Sequence, residues 1–203
     1  KDIPTLTKSR SDFNIPEDSI LYFCCQAPFK YLPQYDYILP EIALIVPNAK
    51  FLFLRGKILI PRLERAFAAA GLNHEDFCIH LSIPERSDYL MLNLLSDVFL
   101  DTFTWSGGNT SLEAIACNLP IVTCPGEFMR GRHADSFLKL LGVTDTIAKN
   151  EAEYIEIAIK LGLDYAWRQD ISQRMSQRQD NLFDDETCVK ALEEFYQQVV
   201  ARF

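Results

Sequence analysis

Short apolar runs alternate with amphipathic segments along nearly the whole chain, and that alternation restricts the fold more than any other feature. The runs are Ile20-Leu21-Tyr22-Phe23-Cys24-Cys25, Lys50-Phe51-Leu52-Phe53-Leu54, Phe77 to Leu81, Asp97 to Leu100 and Ile121-Val122-Thr123-Cys124. Strands apolar at successive positions are buried on both faces. Between them the apolar residues fall at helical spacing over Tyr35 to Val46 (with Pro40 as a kink), Arg62 to Ala70, Arg86 to Leu95 and Asn109 to Cys117. Gly71 closes the second of these helices, as glycine does at helix C-termini. Further helices are expected at His133–Leu141, Glu151–Leu161, Tyr165–Arg178 and Glu186–Ala201. Strands alternating with helices imply an α/β domain, a Rossmann-like parallel sheet with helices on both faces. Ligands of such sheets bind at the carboxyl ends of the strands, where the strand order reverses.

The expected strand ends are followed by loops with polar or special residues: Gln26–Lys30, Pro84–Arg86, Thr102–Asn109 and Pro125-Gly126-Glu127. In a parallel sheet all four converge on one rim. The third contains Trp105-Ser106-Gly107-Gly108-Asn109-Thr110-Ser111-Leu112-Glu113-Ala114, a glycine turn between a strand and a helix start. Glycines let backbone approach an anion, and free amides at a helix N-terminus point at it. Glu113, one turn into the helix, is placed to accept hydrogen bonds from ribose hydroxyls. A nucleoside diphosphate is one reading of this segment. The other is a capping box, Thr110-Ser111-Leu112-Glu113, with Glu113 folded back onto the first turn.

A length of 203 residues suits one domain or one large lobe, residues 1–18 reading as a polar linker with Pro4 and Pro16 and residues 19–203 as the lobe. The net charge of −8 argues against nucleic acid or an anionic membrane as partner, so any anionic ligand depends on local donors. No apolar run approaches the ~20 residues of a membrane helix. The six cysteines have no Cys-x-x-Cys spacing, which reads as apolar filler, a reducing compartment and a cytoplasmic location. No metal site is expected. His133 reads as a helix cap or a sugar or phosphate contact, Arg130 and Arg132 as an anion site or surface charge, and His74 and His80 as ordinary surface or strand positions.

Trp105–Ala114, Leu119-Pro120-Ile121-Val122-Thr123-Cys124-Pro125-Gly126-Glu127, Leu141-Gly142-Val143 and Ile147-Ala148-Lys149-Asn150 together resemble the C-terminal catalytic lobe of O-linked N-acetylglucosamine transferases, including the bacterial SPINDLY-like members. The similarity runs from Ile15-Pro16-Glu17-Asp18 through Tyr154 and Ile157-Ala158 to Lys160-Leu161-Gly162. It implies the C-terminal half of a two-lobed GT-B glycosyltransferase, metal-independent and inverting, that needs no cofactor. Its donor would be UDP-N-acetylglucosamine and its acceptor a protein Ser/Thr hydroxyl. By position, Gly107, Gly108, Asn109 and Thr110 would hold the diphosphate and Glu113 the ribose. Lys30, after Gln26, would neutralise the leaving diphosphate; Arg86 would lie near the nucleoside, and Ile83 and Pro84 would border the base.

Animal members of the family have His-Thr-Thr where this chain has Gly108-Asn109-Thr110, and Asp in place of Glu113; the Gln26–Lys30 loop carries an extra residue, Pro28. Gly-Gly-Asn-Thr is closer to bacterial members. Helix-terminal amides and one cation stabilise a departing phosphate without a metal, and no Asp-x-Asp stands at an expected strand end. The chain starts at Lys1, and the family's N-terminal lobe and tetratricopeptide repeats have no counterpart in it. The expectation is therefore nucleotide binding with little sugar transfer by this chain alone. Other readings are a GDP-fucose donor on the same scaffold, a non-catalytic interaction module, and a sugar-nucleotide epimerase.

Overall fold

The computed structural model describes residues 3–82 and 85–201. Five strands, β1 (Ile20–Cys24), β2 (Ala49–Leu54), β3 (Cys78–Leu81), β4 (Val98–Leu100) and β5 (Ile121–Val122), form one sheet in the order β3-β2-β1-β4-β5. Every pairing is parallel, with Tyr22 opposite Phe51 on one side and Val98 on the other. The apolar runs explain the burial: Leu21, Tyr22 and Phe23 are fully buried, as are Phe51, Leu52, Val98 and Phe99. Each such large side chain contributes about 1.5–3 kcal/mol of transfer free energy.

The connections are helical: α1 (Ile38–Ile45), α2 (Ile60–Ala69), the short α3 (His74–Phe77), α4 (Arg86–Leu95) and α5 (Asn109–Ala116). After β5 come α6 (His133–Leu140), α7 (Glu151–Leu163), α8 (Tyr165–Gln177) and α9 (Thr187–Val200). α4 packs on β1 and α5, whereas α1 packs on β2, α2 and α7. Between β3 and β4 the chain crosses from one edge of the sheet to the other side of β1. The strand order therefore reverses between β1 and β4, and the crevice at their carboxyl ends is the ligand position this architecture favours.

Several expectations change in detail. Pro40 lies in the first turn of α1, where its missing N–H costs nothing, so it starts the helix instead of kinking it. Pro61 does the same for α2, and Gly71 follows that helix at φ 74°. β5 ends at Val122, and Thr123 makes only an isolated bridge to Ile147. The segment expected as a linker is part of the folded body: Phe13 and Ile15 are in the core. Arg10 donates to the carbonyls of Leu95 and Ser19 and to Asp97, at 2.6–3.0 Å. Asp97 also accepts from the Leu21 amide and pairs with the buried Arg168.

His80 is a strand position, in β3, whereas His74 is buried in α3, and neither is an ordinary surface residue. Their Nε2 atoms are 3.1 Å apart, and the Nδ1 atoms of both are buried with no hydrogen-bond partner. Burial drives both pKa values down, that of His80 to about 4. All six cysteines are free thiols; only Cys188 is exposed.

Candidate functional site

The loop from Asp101 to Gly108 joins β4 to α5 and is held rigid by its own contacts. Thr102 Oγ1 donates to the Trp105 carbonyl at 2.8 Å, and Thr104 adopts a left-handed φ of 65°. Gly131 is needed beneath it, because a Cβ there would stand 3.0 Å from the Thr104 carbonyl oxygen. The Ser106 amide donates to the Arg130 carbonyl at 2.8 Å, which ties this loop to the one after β5.

Asp101, at the end of β4, is fully buried beneath the turn. Its Oδ1 accepts from the Gly107 amide at 2.8 Å, and its Oδ2 accepts from the hydroxyls of Ser106 (2.6 Å) and Thr123 (2.8 Å). Ser106 Oγ in turn accepts from the Ala134 amide at the start of α6. Burial raises the pKa of Asp101, and these donors oppose the rise.

Gly107 therefore spends its amide inward and contributes by lacking a side chain. A Cβ on it would lie 2.5 Å from Gln26 Nε2 and Ser111 Oγ, and 2.6 Å from Thr110 Oγ1. Gly108 is the N-cap residue of α5, and a Cβ there would meet nothing within 4 Å. The first-turn amides of a helix have no intrahelical acceptor and carry the positive end of its dipole. In α5 the Ser111 amide already donates to the Gly108 carbonyl, which leaves those of Asn109 and Thr110, and Thr110 stands in hydrogen-bond contact with Gln26 from the loop after β1.

From the other side comes the loop after β1. Gln26, only 2% exposed, donates through Nε2 to Thr110 Oγ1 at 2.7 Å and accepts from Lys30 Nζ at 2.9 Å. Lys30 also donates to the Ser106 carbonyl at 3.3 Å, and its ammonium lies 6.0 Å from the Trp105 ring centre. Burial lowers the Lys30 pKa, while the negative charge of Asp101 pulls it back up. The structure thus brings Gln26, Lys30, Gly107, Gly108, Asn109 and Thr110 together at the point where the strand order reverses.

The capping-box reading of this helix start does not hold. The N-cap is Gly108 and no side chain caps the helix, because the turn begins two residues before Thr110. Glu113 instead faces Arg86, whose Nη1 lies 2.5 Å from its Oε1. The Arg86 side chain is 72% exposed and that of Glu113 is 18% exposed. Ile83 and Pro84, expected beside a base, lie outside the described residues.

A groove of about 510 Å³ runs from this turn toward α4, lined by Gln26, Thr110, Arg86, Arg55, Cys25 and Tyr89 among others. Its floor carries neutral groups: the Cys25 thiol is pushed up to about 12 by burial and touches the Tyr89 hydroxyl, itself raised by burial. A second space of about 530 Å³ lies beyond the turn, between Thr104, Pro125-Gly126 and the Tyr37–Glu151 hydrogen bond.

His133 does not cap α6, since the N-cap is Arg132; its ring lies parallel to that of Phe137, centres 6.5 Å apart. Arg132 donates to the Gly126 carbonyl and pairs with Asp135, while Arg130 lies over the Phe128 ring. The sequence reading passed over Asp101 and Arg55. Asp101 had one signal, a carboxylate directly after an apolar strand and just before a glycine turn.

Glycosyl transferase family 41 matches residues 2–192. The chain belongs to this family. "Probable UDP-N-acetylglucosamine--peptide N-acetylglucosaminyltransferase SEC" of Arabidopsis thaliana is 30% identical over 196 residues, covering 95% of the chain and 20% of that protein. A mutant of the Thermobaculum terrenum O-GlcNAc transferase superposes with a TM-score of 0.80 at 27% identity, over 97% of this chain and 38% of that one. The C-terminal domain of the group 1 glycosyl transferase LpcC from Francisella tularensis superposes with a TM-score of 0.65 at 14% identity, over 85% of this chain and 90% of that domain.

The family 41 chain thus has the fold of the C-terminal half of a GT-B glycosyltransferase, and it spans about a fifth of the length of the SEC protein. No helix among the described residues is long and apolar enough to cross a membrane.

Proposed function

We propose that this chain is the nucleotide-sugar-binding lobe of a glycosyltransferase that moves N-acetylglucosamine from UDP-N-acetylglucosamine to Ser/Thr hydroxyls of proteins. The observation that carries the reading is the meeting of one half-buried cation, Lys30, with the N-terminus of α5 at the reversal of strand order. The relatives' names supply the donor and the acceptor class.

The diphosphate sits over Gly108, Asn109 and Thr110, with Lys30 against its oxygens. The nucleoside lies in the groove toward Arg86, its ribose hydroxyls donating to Glu113, which Arg86 releases on binding. Ile83 and Pro84 border the base. In the transfer step the acceptor hydroxyl oxygen attacks the anomeric carbon from the face opposite the diphosphate as the bond from that carbon to the diphosphate oxygen breaks, and the hydroxyl proton is lost to solvent. The electron pair leaves with the diphosphate. Lys30 and the helix amides stabilise the charge that builds there, a placement worth several kcal/mol when the donors are fixed in advance. Because these groups meet the developing charge, the step needs no metal, and a single displacement from the opposite face inverts the anomeric carbon.

The test is amide and lysine side-chain NMR of the chain during titration with UDP. Perturbations centred on Gly108–Thr110, Gln26 and Lys30 support the reading. Perturbations confined to the space around Tyr37 and Glu151, or none at saturating UDP, overturn it.

A further inference from the structure

The buried carboxylate of Asp101 has no part in the steps above, yet it is the hub on which the anion cradle is built. Three donors converge on it from three parts of the chain: the Gly107 amide within the turn, the Ser106 hydroxyl beside it, and the Thr123 hydroxyl after β5. The Tyr154 hydroxyl on α7 holds its backbone carbonyl at 2.8 Å. Ser106 is shared, since its hydroxyl donates to Asp101 while its carbonyl accepts from Lys30. Lys30 and Asp101 also line one small cavity of about 50 Å³.

A negative charge buried under a phosphate site weakens anion binding on its own account, so its presence asks for a reason. We infer that Asp101 is a positioning residue, whose carboxylate locks the glycine turn and, through the Ser106 it shares with Lys30 and the cavity both line, acts as the counter-charge that holds Lys30 at the turn while the site is empty. The inference rests on the anion-site reading above only for its purpose; the lock itself is a property of the ligand-free chain.

The other titratable groups facing this pair leave it isolated. Cys25 and Tyr154 are held neutral, both pushed up by burial, and so is Tyr31. Asp36, on the far wall of the cavity, is spent on a two-point pair with Arg62 at 2.7 and 2.8 Å. Burial works against the Lys30 ammonium, and with Cys25 neutral the Asp101 carboxylate is the charge that favours it.

Asp101→Asn separates charge from shape. Its carbonyl oxygen can still accept from Gly107, and the two hydroxyls can turn to accept from its NH₂. Asp101→Ala removes both. The experiment follows the Lys30 side-chain resonance against pH in the 203-residue chain, with hydrogen exchange at the Gly107 amide and UDP affinity in parallel. A lower Lys30 titration midpoint is expected in Asp101→Asn. Loss of Gly107 protection and about tenfold weaker UDP binding are expected in Asp101→Ala. In Asp101→Asn, UDP affinity should fall off at lower pH than in wild type; ionisation of the uracil ring is common to both proteins and cancels.

An unmoved Lys30 midpoint in Asp101→Asn overturns the inference even if UDP binds. A lowered midpoint with no UDP uptake by wild type leaves the lock standing and overturns the nucleotide reading. Should Asp101→Ala fail to fold, the Asp101→Asn titration still decides.

Discussion

Replacing Gly107 with alanine would place a Cβ 2.5 Å from Gln26 Nε2, 2.5 Å from Ser111 Oγ and 2.6 Å from Thr110 Oγ1. Ordinary contact begins near 3.4 Å, so each neighbour would have to retreat by about 0.9 Å. Ser111 has no room to do so, being fully buried inside α5. Gln26 can swing away only by giving up its bonds to Thr110 and Lys30. Overpacking of this kind costs about 1–3 kcal/mol, and losing the Gln26 bridge releases Lys30 from the turn. The expected result is an unfolding free energy, from urea melts, lowered by that amount and UDP binding weakened about tenfold or more. Gly108→Ala is the control for packing, since its methyl meets no atom within 4 Å; it should shift stability by less than about 1 kcal/mol. Wild-type stability and affinity in Gly107→Ala would refute the reasoning.

Further outcomes follow from the same geometry. The His74–His80 pair should make the fold acid-sensitive. His80 sits near 4 in the fold against 6.5 for the free side chain, so the unfolded chain takes up the proton first. Stability is then fully present above pH 6.5 and falls as the pH drops toward 4, by on the order of 1–2 kcal/mol once solvent screening of the half-exposed ring is allowed for. Urea melts across that window check this, and His80→Leu should flatten the slope. Asp97→Ala should cost about 3–5 kcal/mol, because Arg10 and the buried Arg168 lose their shared carboxylate; an unchanged urea midpoint would contradict that role. Thiol titration of the native chain should modify Cys188 first, with Cys24, Cys78 and Cys117 reacting only on unfolding.

The sheet was legible because β1, β2 and β4 carry short runs of successive apolar residues between helical segments, the pattern of strands covered on both faces. α4 was legible to the residue, and so was the glycine turn. What escaped were contacts made across large sequence separations. Asp101 meets Thr123, Arg10 meets Leu95 and Asp97, and Tyr154 reaches back to Asp101, none of which leaves a local signature. The spacing from Thr110 to Glu113 suggested a capping box, yet a helix start is set by where the turn releases the chain. Here the Asp101–Gly107 bond places that point at Gly108. Likewise Phe13 and Ile15 sit in a polar stretch that looks like a linker, and only the groove that receives them makes it part of the core.

The central claim is that the crevice between β1 and β4 takes a uridine diphosphate sugar without a metal. Calorimetric titration of the chain with UDP and with GDP in EDTA, alongside Glu113→Ala, tests it most directly. The account predicts that UDP binds more tightly than GDP in EDTA and that Glu113→Ala weakens UDP about tenfold. Equal or tighter GDP binding, a requirement for a divalent metal, or an unchanged affinity in Glu113→Ala would contradict it.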